Sequence, residues 1–160
     1  MKYITLTRGL SATLDDEDFK FINKFNWCIR TNRGGHYYAV SKIGGKIVYM
    51  HRLIMNAKLG EAIDHIDGNG LNNTRSNMRL ATQSQNKMNS IKSRRNTSGF
   101  KGVSYCHDKH RNRPWRALIR FSNRLIHLGH FETSEEAAIA YNRAALKYFG
   151  EFAKTNESMR

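Results

Sequence analysis

Alternation of apolar and polar side chains predicts that residues 1–48 form a small strand-rich layer. Strands are expected over four short stretches, the middle two forming a hairpin at Gly34-Gly35: residues 2–7, 25–30, 36–40 and 46–49. Acidic residues at 15–18 stand where a helix N-terminus favours negative charge, ahead of apolar residues at helical spacing, so a short helix is predicted there. Three aromatic residues are assigned to the core of this layer: Trp27, Tyr37 and Tyr38.

A second strand-rich pattern covers residues 99–156 and ends in a helix. Strands are predicted over three stretches: 100–107, 115–121 and 125–131. Thr133 is a suitable N-cap, the amphipathic pattern then runs to Phe149, and Gly150 is a suitable stop. We therefore expect a three-stranded sheet with one face packed on the helix and the other face free.

The free face of that sheet is a candidate DNA-binding surface. Alternation sends Ala117 and Ile119 toward the helix, so Arg116 and Arg120 are expected on the opposite side. Basic residues at alternate strand positions suit a sheet laid into the major groove. A solvated sheet face without a ligand is the alternative.

A polar, basic segment separates the two regions. Residues 91–98 contain a single apolar residue, which is the composition of a linker that does not fold alone. Lys92, Arg94 and Arg95 are positioned along this segment to contact phosphates as it crosses a duplex.

Composition adds a polyanionic partner to this picture. The 160 residues include 27 Lys and Arg against 13 Asp and Glu, a net charge of +14, and basic residues outnumber acidic ones throughout the chain. Such an excess favours nucleic acid as the partner, although a solvated basic surface is the alternative.

The two cysteines lie far apart and form no C-x-x-C pair, so no zinc site is expected. No apolar run is long enough for a membrane span or a signal peptide, so we expect a cytoplasmic protein and no membrane partner.

The chemistry-bearing side chains concentrate in residues 49–90. Asp64 and His65 end a short apolar run, and amides follow at Asn77 and Asn86. A carboxylate and an amide oxygen can hold a hard divalent cation while an imidazole takes a proton from water, which is what a one-metal phosphodiesterase requires. Taken alone, Asp-His is more often a surface turn, and Asp67-Gly68-Asn69-Gly70 is typical of a turn. The latter also suggests a calcium loop, but lacks the further carboxylates of an EF-hand.

This segment resembles the nuclease module of the HNH homing endonucleases, the ββα-metal group, in the form DHIDG…NN..SN.R..T..QN. The resemblance implies a strand ending at His65, a loop through Asn77, a strand over 78–82 and a helix from about residue 84. It also implies that His65 is the general base, that Asp64 and Asn86 hold the metal, and that Asn77 braces the loop and helps to orient the imidazole. His51 is interpreted as packing against the site, with a direct role as the alternative, and Asn73 as loop-forming support.

Residues 98–156 resemble the APETALA2-type DNA-binding domain. The resemblance rests on five segments: Ser98–Val103, Trp115–Arg120, His127–Phe131, Glu135–Tyr141 and Gly150–Asn156. It implies DNA contacts by Lys101, Arg120 and His127. Ser104, Cys106 and Leu118 replace the plant domains' arginines and glutamate, so their sequence preference is not expected.

Together these patterns predict an α+β protein with an N-terminal layer (1–48), an HNH module (49–90), a linker (91–98) and a DNA-binding domain (99–156). The expected function is metal-dependent hydrolysis of double-stranded DNA by a monomer that nicks one strand per encounter, with Mg²⁺, or alternatively Mn²⁺, as cofactor. A dimer cutting both strands, a non-catalytic DNA-binding regulator and an RNA-directed protein remain alternatives. The resemblance suggests a phage or intron origin and implies no protein partner.

Overall fold

The computed structural model describes residues 1–32, 34–93, 95–107 and 112–157. The chain divides into two compact units, Met1–Asn86 and Lys87–Arg160, and each has its own hydrophobic core. Helices alternate with several small sheets, which confirms the predicted α+β class. The finer division into four segments stays a prediction.

The first unit begins with an antiparallel hairpin of β1 (Lys2–Thr5) and β2 (Ser11–Leu14). The predicted first strand is shorter than expected because Thr7–Gly9 forms a 3₁₀ turn. The sequence pattern does not predict β2, since four residues give too short an alternation to distinguish a strand from a loop. Helix α1 (Asp16–Ile22) follows with three acidic residues in its first turn, as predicted.

A three-stranded antiparallel sheet comes next, in the order β3-β4-β5, and leads into helix α2. Its elements span Cys28–Thr31 (β3), Tyr37–Ile43 (β4), Lys46–Tyr49 (β5) and Met50–Ile54 (α2). Trp27 is 6% exposed and its indole N–H donates to the Ile22 carbonyl, which confirms its core assignment. The same assignment is wrong for Tyr37, which is 44% exposed. Adjacent strand residues point to opposite faces, so only Tyr38 of this pair turns inward.

The first unit continues with a hairpin, and a short helix begins at its end, in the predicted order. Strand β6 spans Ala62–His65, β7 spans Met78–Ala81, and α3 spans Gln83–Met88. The antiparallel register sets Asp64 opposite Arg79 and His65 opposite Met78. This hairpin contributes Ile63 and Met78 to the core that also contains residues of β1, β2, α1 and α2. The N-terminal layer and the hairpin therefore share one hydrophobic core.

The second unit consists of a three-stranded antiparallel sheet, in the order β10-β9-β8, covered on one face by helix α4. The elements span Val103–Tyr105 (β8), Trp115–Phe121 (β9), Arg124–Phe131 (β10) and Ser134–Phe149 (α4). Thr133 and Glu136 form a capping box at the start of α4. Ala117 and Ile119 are buried on the helix side, which is the orientation that strand alternation predicts.

Among the residues that the structure describes, no helix is both long enough and apolar enough to cross a bilayer.

Candidate active site

Asp64 and His65 end strand β6, where pairing with β7 fixes their backbone. Both side chains are buried, with 2% of Asp64 and 6% of His65 exposed. Two buried polar residues in succession are unusual for a strand whose neighbours are apolar, because each must be compensated by a polar partner. The contacts of each one indicate what it can do.

The Asp64 carboxylate is held by Arg79, its cross-strand partner. The guanidinium Nε and Nη2 of Arg79 lie 2.9 and 2.8 Å from the same oxygen, Oδ2. Arg79 is itself mostly buried, with 16% of its side chain exposed. A carboxylate removed from water in this way stays charged only beside a compensating cation. The Arg79–Asp64 ion pair therefore directly precedes His65 at the end of β6.

His65 lies in an aromatic enclosure built by the N-terminal layer and α2. Its ring centroid is 5.2 Å from that of His51, at 90°, and 6.2 Å from that of Tyr38. Burial lowers the pKa of His65, although a hydrogen bond to Asn73 and the nearby Asp67 and Asp64 act in the opposite direction. The neutral imidazole is thereby favoured near neutral pH. A neutral imidazole is the form that can accept a proton.

His51 is 9% exposed and its ring lies between Tyr38, Tyr49 and His65. Burial, with contributions from His65 and Arg52, lowers the pKa of His51 to about 3. The residue is therefore a neutral packing group beside the site. This position agrees with the interpretation of His51 as a residue that packs against the site. A direct role in the reaction stays the alternative.

The loop between β6 and β7 is held by a network of asparagine side chains. The Asn77 amide donates to the Asp67 carboxylate and to the Asn72 carbonyl, and its oxygen accepts from the Asp67 backbone N–H. Although burial acts in the opposite direction, hydrogen bonds from Asn69, Asn72 and Asn77 lower the pKa of Asp67. Asn77 thus contacts the loop itself.

Asn73, rather than Asn77, contacts the imidazole in the described structure. Its Oδ1 lies 3.4 Å from His65 Nε2, and the residue is 0% exposed. The resemblance implies that Asn77 helps to orient the ring, and Asn73 is expected only to support the loop. The resemblance could not separate two asparagines of the same loop, because only the folded loop shows which amide turns inward.

Asn86 lies on α3 and borders a cleft of about 560 Å³. The lining of this cleft includes Arg30, Tyr38, Tyr49, His51, Arg52 and Asn86. Ala62 and Ile63, the β6 residues that precede Asp64, line it too. Among the described residues, no group of three or more His, Cys, Asp or Glu side chains could hold a metal ion. Asp64 and His65 are not among the residues that line this cleft.

The candidate DNA-contacting residues of the second unit differ in their exposure to solvent. Arg95, Arg120 and His127 are exposed, the latter two on β9 and β10. Arg116, on the same face of β9, is half-buried and donates to the Ser104 hydroxyl at 3.3 Å. Arg94 lies outside the described residues.

The two candidate lysines are engaged by backbone carbonyls. Lys92 Nζ donates to Gly99 O at 2.8 Å, and Lys101 Nζ donates to Met88 O and Ser90 O at 2.7 and 2.6 Å. Burial and the nearby Lys154 lower the pKa of the Lys101 ammonium to about 8. Both ammonium groups are thus engaged by carbonyls of the second unit, so a phosphate contact by either would compete with these bonds.

Two residues that lie at the site, Arg79 and Tyr38, are not assigned to it by the sequence. Arg79 could have been found from the predicted hairpin, because pairing 62–65 with 78–81 sets it opposite Asp64. Tyr38 could not, since its contact with His65 joins two separate sheets across more than 25 residues of sequence.

The chain is similar in sequence to several known proteins. The sequence model of a protein family described as HNH endonuclease matches residues 48–88. A protein of Acanthamoeba polyphaga mimivirus named as an uncharacterized HNH endonuclease is 34% identical over 164 residues, covering 97% of this chain and 81% of that protein. Protein 3.8 of Escherichia phage T7 is 34% identical over 95 residues, or 59% of this chain and 75% of that protein. An AP2-like ethylene-responsive transcription factor of Arabidopsis thaliana is 46% identical over 81 residues, or 46% of this chain and 24% of that protein. No solved structure matches this chain.

Proposed function

The chain belongs to the HNH endonuclease family, and from that membership we propose that it is a metal-dependent nuclease of the homing type that nicks double-stranded DNA. The observation that carries the proposal is the buried His65 imidazole beside the Asp64 carboxylate, which Arg79 holds at the end of β6. A proton acceptor next to a fixed negative charge is the minimum that metal-assisted phosphodiester hydrolysis needs.

His65 acts as the general base. A water molecule gives a proton to the imidazole as its oxygen bonds to the scissile phosphorus, and the bond from phosphorus to the 3′-oxygen breaks. The leaving oxygen gains a proton from solvent, so the products are a 3′-hydroxyl and a 5′-phosphate. Burial supports this role, because it keeps the base uncharged before the reaction.

Asp64 and Asn86 would hold the divalent cation. Their oxygens are hard donors, and two such ligands suit Mg²⁺, which retains water and binds substrate phosphate oxygens; Mn²⁺ is the alternative. The cation, when bound, supplies charge stabilisation at the scissile phosphate. Arg79 already contacts Oδ2 of Asp64, so the arginine would orient the carboxylate while both cations share its negative charge.

Residues 99–156 supply affinity for DNA through the free face of their sheet. The support is the exposed Arg120 and His127 on adjacent strands, the net charge of +14, and the partial similarity to plant transcription factors. Phosphate contacts by such cations make binding steeply dependent on salt. One catalytic constellation per chain favours a monomer that cuts a single strand.

Incubation with supercoiled plasmid tests the nuclease. Wild-type protein with Mg²⁺ is expected to produce the nicked circle, and no nicked circle should form after the metal is chelated. His65→Ala and Asp64→Ala should each slow nicking by about 100-fold or more. Arg143→Ala, an exposed arginine on α4, is the matched control and should cut normally. Wild type that binds but never cuts would instead identify a non-catalytic DNA-binding protein. Equal cutting by His65→Ala would remove the general-base assignment.

A further inference from the structure

Strand β2 of the N-terminal layer is hydrogen-bonded to the loop that follows β6. The Thr13 backbone N–H donates to Leu71 O at 2.9 Å, and the Asn73 N–H donates to Thr13 O at 2.7 Å. Thr13 and Asn72 form a parallel bridge. The N–H and the C=O of Thr13 are therefore both hydrogen-bonded to the loop, and these bonds fix the path of residues 71–73 beside the imidazole.

The loop is held from two further directions. Gly70 lies so close to β4 that a Cβ there would overlap the Tyr37 carbonyl oxygen and the Tyr38 ring. Beyond Asn73, the Arg75 backbone N–H donates to Asp15 at 2.8 Å, and its guanidinium contacts Asp18. With both of its flanks attached to the N-terminal layer, Asn73 has little freedom to move.

The side-chain amide of Asn73 is oriented by its own hydrogen bond. Its Nδ2 donates to Leu71 O at 3.1 Å, so Oδ1 is the atom that faces His65 Nε2. An amide oxygen can only accept. This contact is a hydrogen bond when the imidazole carries its proton on Nε2, which leaves the lone pair on Nδ1.

We propose that Asn73 is a positioning residue that holds the His65 ring in the Nε2-protonated tautomer, with β2 fixing Asn73 in place. The consequence for catalysis rests on the proposed nuclease function: Nδ1 is then the atom that accepts the proton of the attacking water. The N-terminal layer is on this account part of the catalytic apparatus. A hydrogen bond that selects one tautomer of a catalytic histidine acts on the rate of the chemical step and leaves substrate binding unchanged.

The tautomer can be measured in the wild-type protein without any cleavage. In long-range ¹H–¹⁵N correlation spectra near neutral pH, His65, assigned by comparison with His65→Gln, should show a protonated Nε2 and an unprotonated Nδ1. A protonated Nδ1, or an average of both tautomers, would overturn the proposal. Because this readout needs no activity, it stays informative even if the protein does not cut DNA.

Variants of Asn73 then test the link to catalysis. Asn73→Leu should lower kcat by about 10- to 100-fold with KM unchanged, as expected when a partner that orients a site histidine is lost. Asn73→Asp keeps an oxygen facing Nε2 and should recover most of that rate. Asn72→Leu, in the same loop, should leave the His65 spectrum unchanged.

Normal kcat in a folded Asn73→Leu variant would contradict the proposal, and so would equal losses in Asn73→Leu and Asn73→Asp. If Asn73→Leu fails to fold, the wild-type spectrum and the comparison of Asn73→Asp with wild type decide the question.

Discussion

Arg79 and Arg120 each lie on a strand of a small antiparallel sheet, yet they are used in opposite ways. Arg79 is mostly buried, and its guanidinium forms an ion pair with Asp64 of the neighbouring strand. Arg120 is exposed on the face of its sheet that the helix leaves uncovered. The first unit directs its polar groups inward around one imidazole, whereas the second presents its charges to solvent.

This difference follows from what each unit is proposed to do. A reacting group must be held in one orientation, which requires burial, fixed partners and a packed surround. A surface that follows a phosphate backbone needs accessible charge and tolerates loose side chains. Substitutions in the first unit should therefore affect stability and the chemical step, and substitutions on the free sheet face should affect binding alone.

The largest effect on stability is expected from Arg79→Met. Removing the guanidinium leaves the Asp64 carboxylate buried without that partner, so the free energy of unfolding of the first unit should fall by about 3–5 kcal/mol. Arg120→Met, an exposed arginine, should change stability by less than about 0.5 kcal/mol. Urea unfolding in a Trp115→Phe background measures this, since Trp27 is then the only tryptophan. Equal effects of the two substitutions would contradict the comparison.

Acid should weaken the first unit through His51. The pKa of this imidazole is lowered by burial from 6.5 to about 3, so between these values the unfolded chain binds more protons than the folded one. The free energy of unfolding should therefore fall as the pH is lowered from 6.5, by up to about 1.4 kcal/mol per pH unit.

His51→Phe should flatten this dependence, because the phenyl ring fills the space and takes up no proton. Unfolding curves at several pH values, again followed through Trp27, measure the slope. His127→Phe, in the other unit, is the control and should leave the slope as in wild type. A wild-type slope in His51→Phe would show that other groups dominate.

Gly70→Ala should destabilise the loop that carries Asn73. The added methyl would meet the Tyr37 carbonyl and the Tyr38 ring, and such overpacking costs about 1–3 kcal/mol. The accompanying shift of the loop should also slow cleavage. Gly45→Ala, at a tight turn with open space around it, should cost only backbone strain and leave the cleavage rate unchanged. Wild-type cleavage by Gly70→Ala would show that the loop is not confined.

The smallest effect is expected from Arg120→Ala. Loss of one phosphate-contacting cation should weaken DNA binding about equally for all sequences and reduce the salt slope by about 1. Fluorescence anisotropy at several salt concentrations measures the slope, with Arg143→Ala on the covering helix as control. An unchanged slope would indicate that the free face is not the DNA-binding surface.

The sequence predicts most elements of the fold because their patterns are local. Asp64-His65 at the end of a strand, the second strand from Met78, the helix that carries Asn86 and the capped helix α4 all lie close to where pattern and resemblance put them. These features depend on neighbours within a few residues. Tyr37 is the instructive error, since strand alternation allows only one of two adjacent tyrosines to be buried.

The details of the site depend on contacts that no local pattern records. Asn73 faces the imidazole because Thr13, 60 residues earlier, holds its backbone. The strand that contains Thr13 is too short to predict. Lys101 matches a DNA-contacting position by resemblance, yet its ammonium donates to the carbonyls of Met88 and Ser90, which no local pattern places beside it. The residue types in the sequence indicate the kind of chemistry. Where several residues of one type are present, tertiary contacts determine which of them lies at the site.

Single-turnover cleavage at saturating protein tests the central claim most directly, because it separates the chemical step from DNA binding. His65→Ala should remain slower than wild type by about 100-fold or more at any protein concentration. Arg120→Ala should reach the wild-type rate once the DNA is saturated. If His65→Ala regains the wild-type rate at saturation, or Arg120→Ala stays slow, the assignment of chemistry to the first unit and binding to the second is wrong.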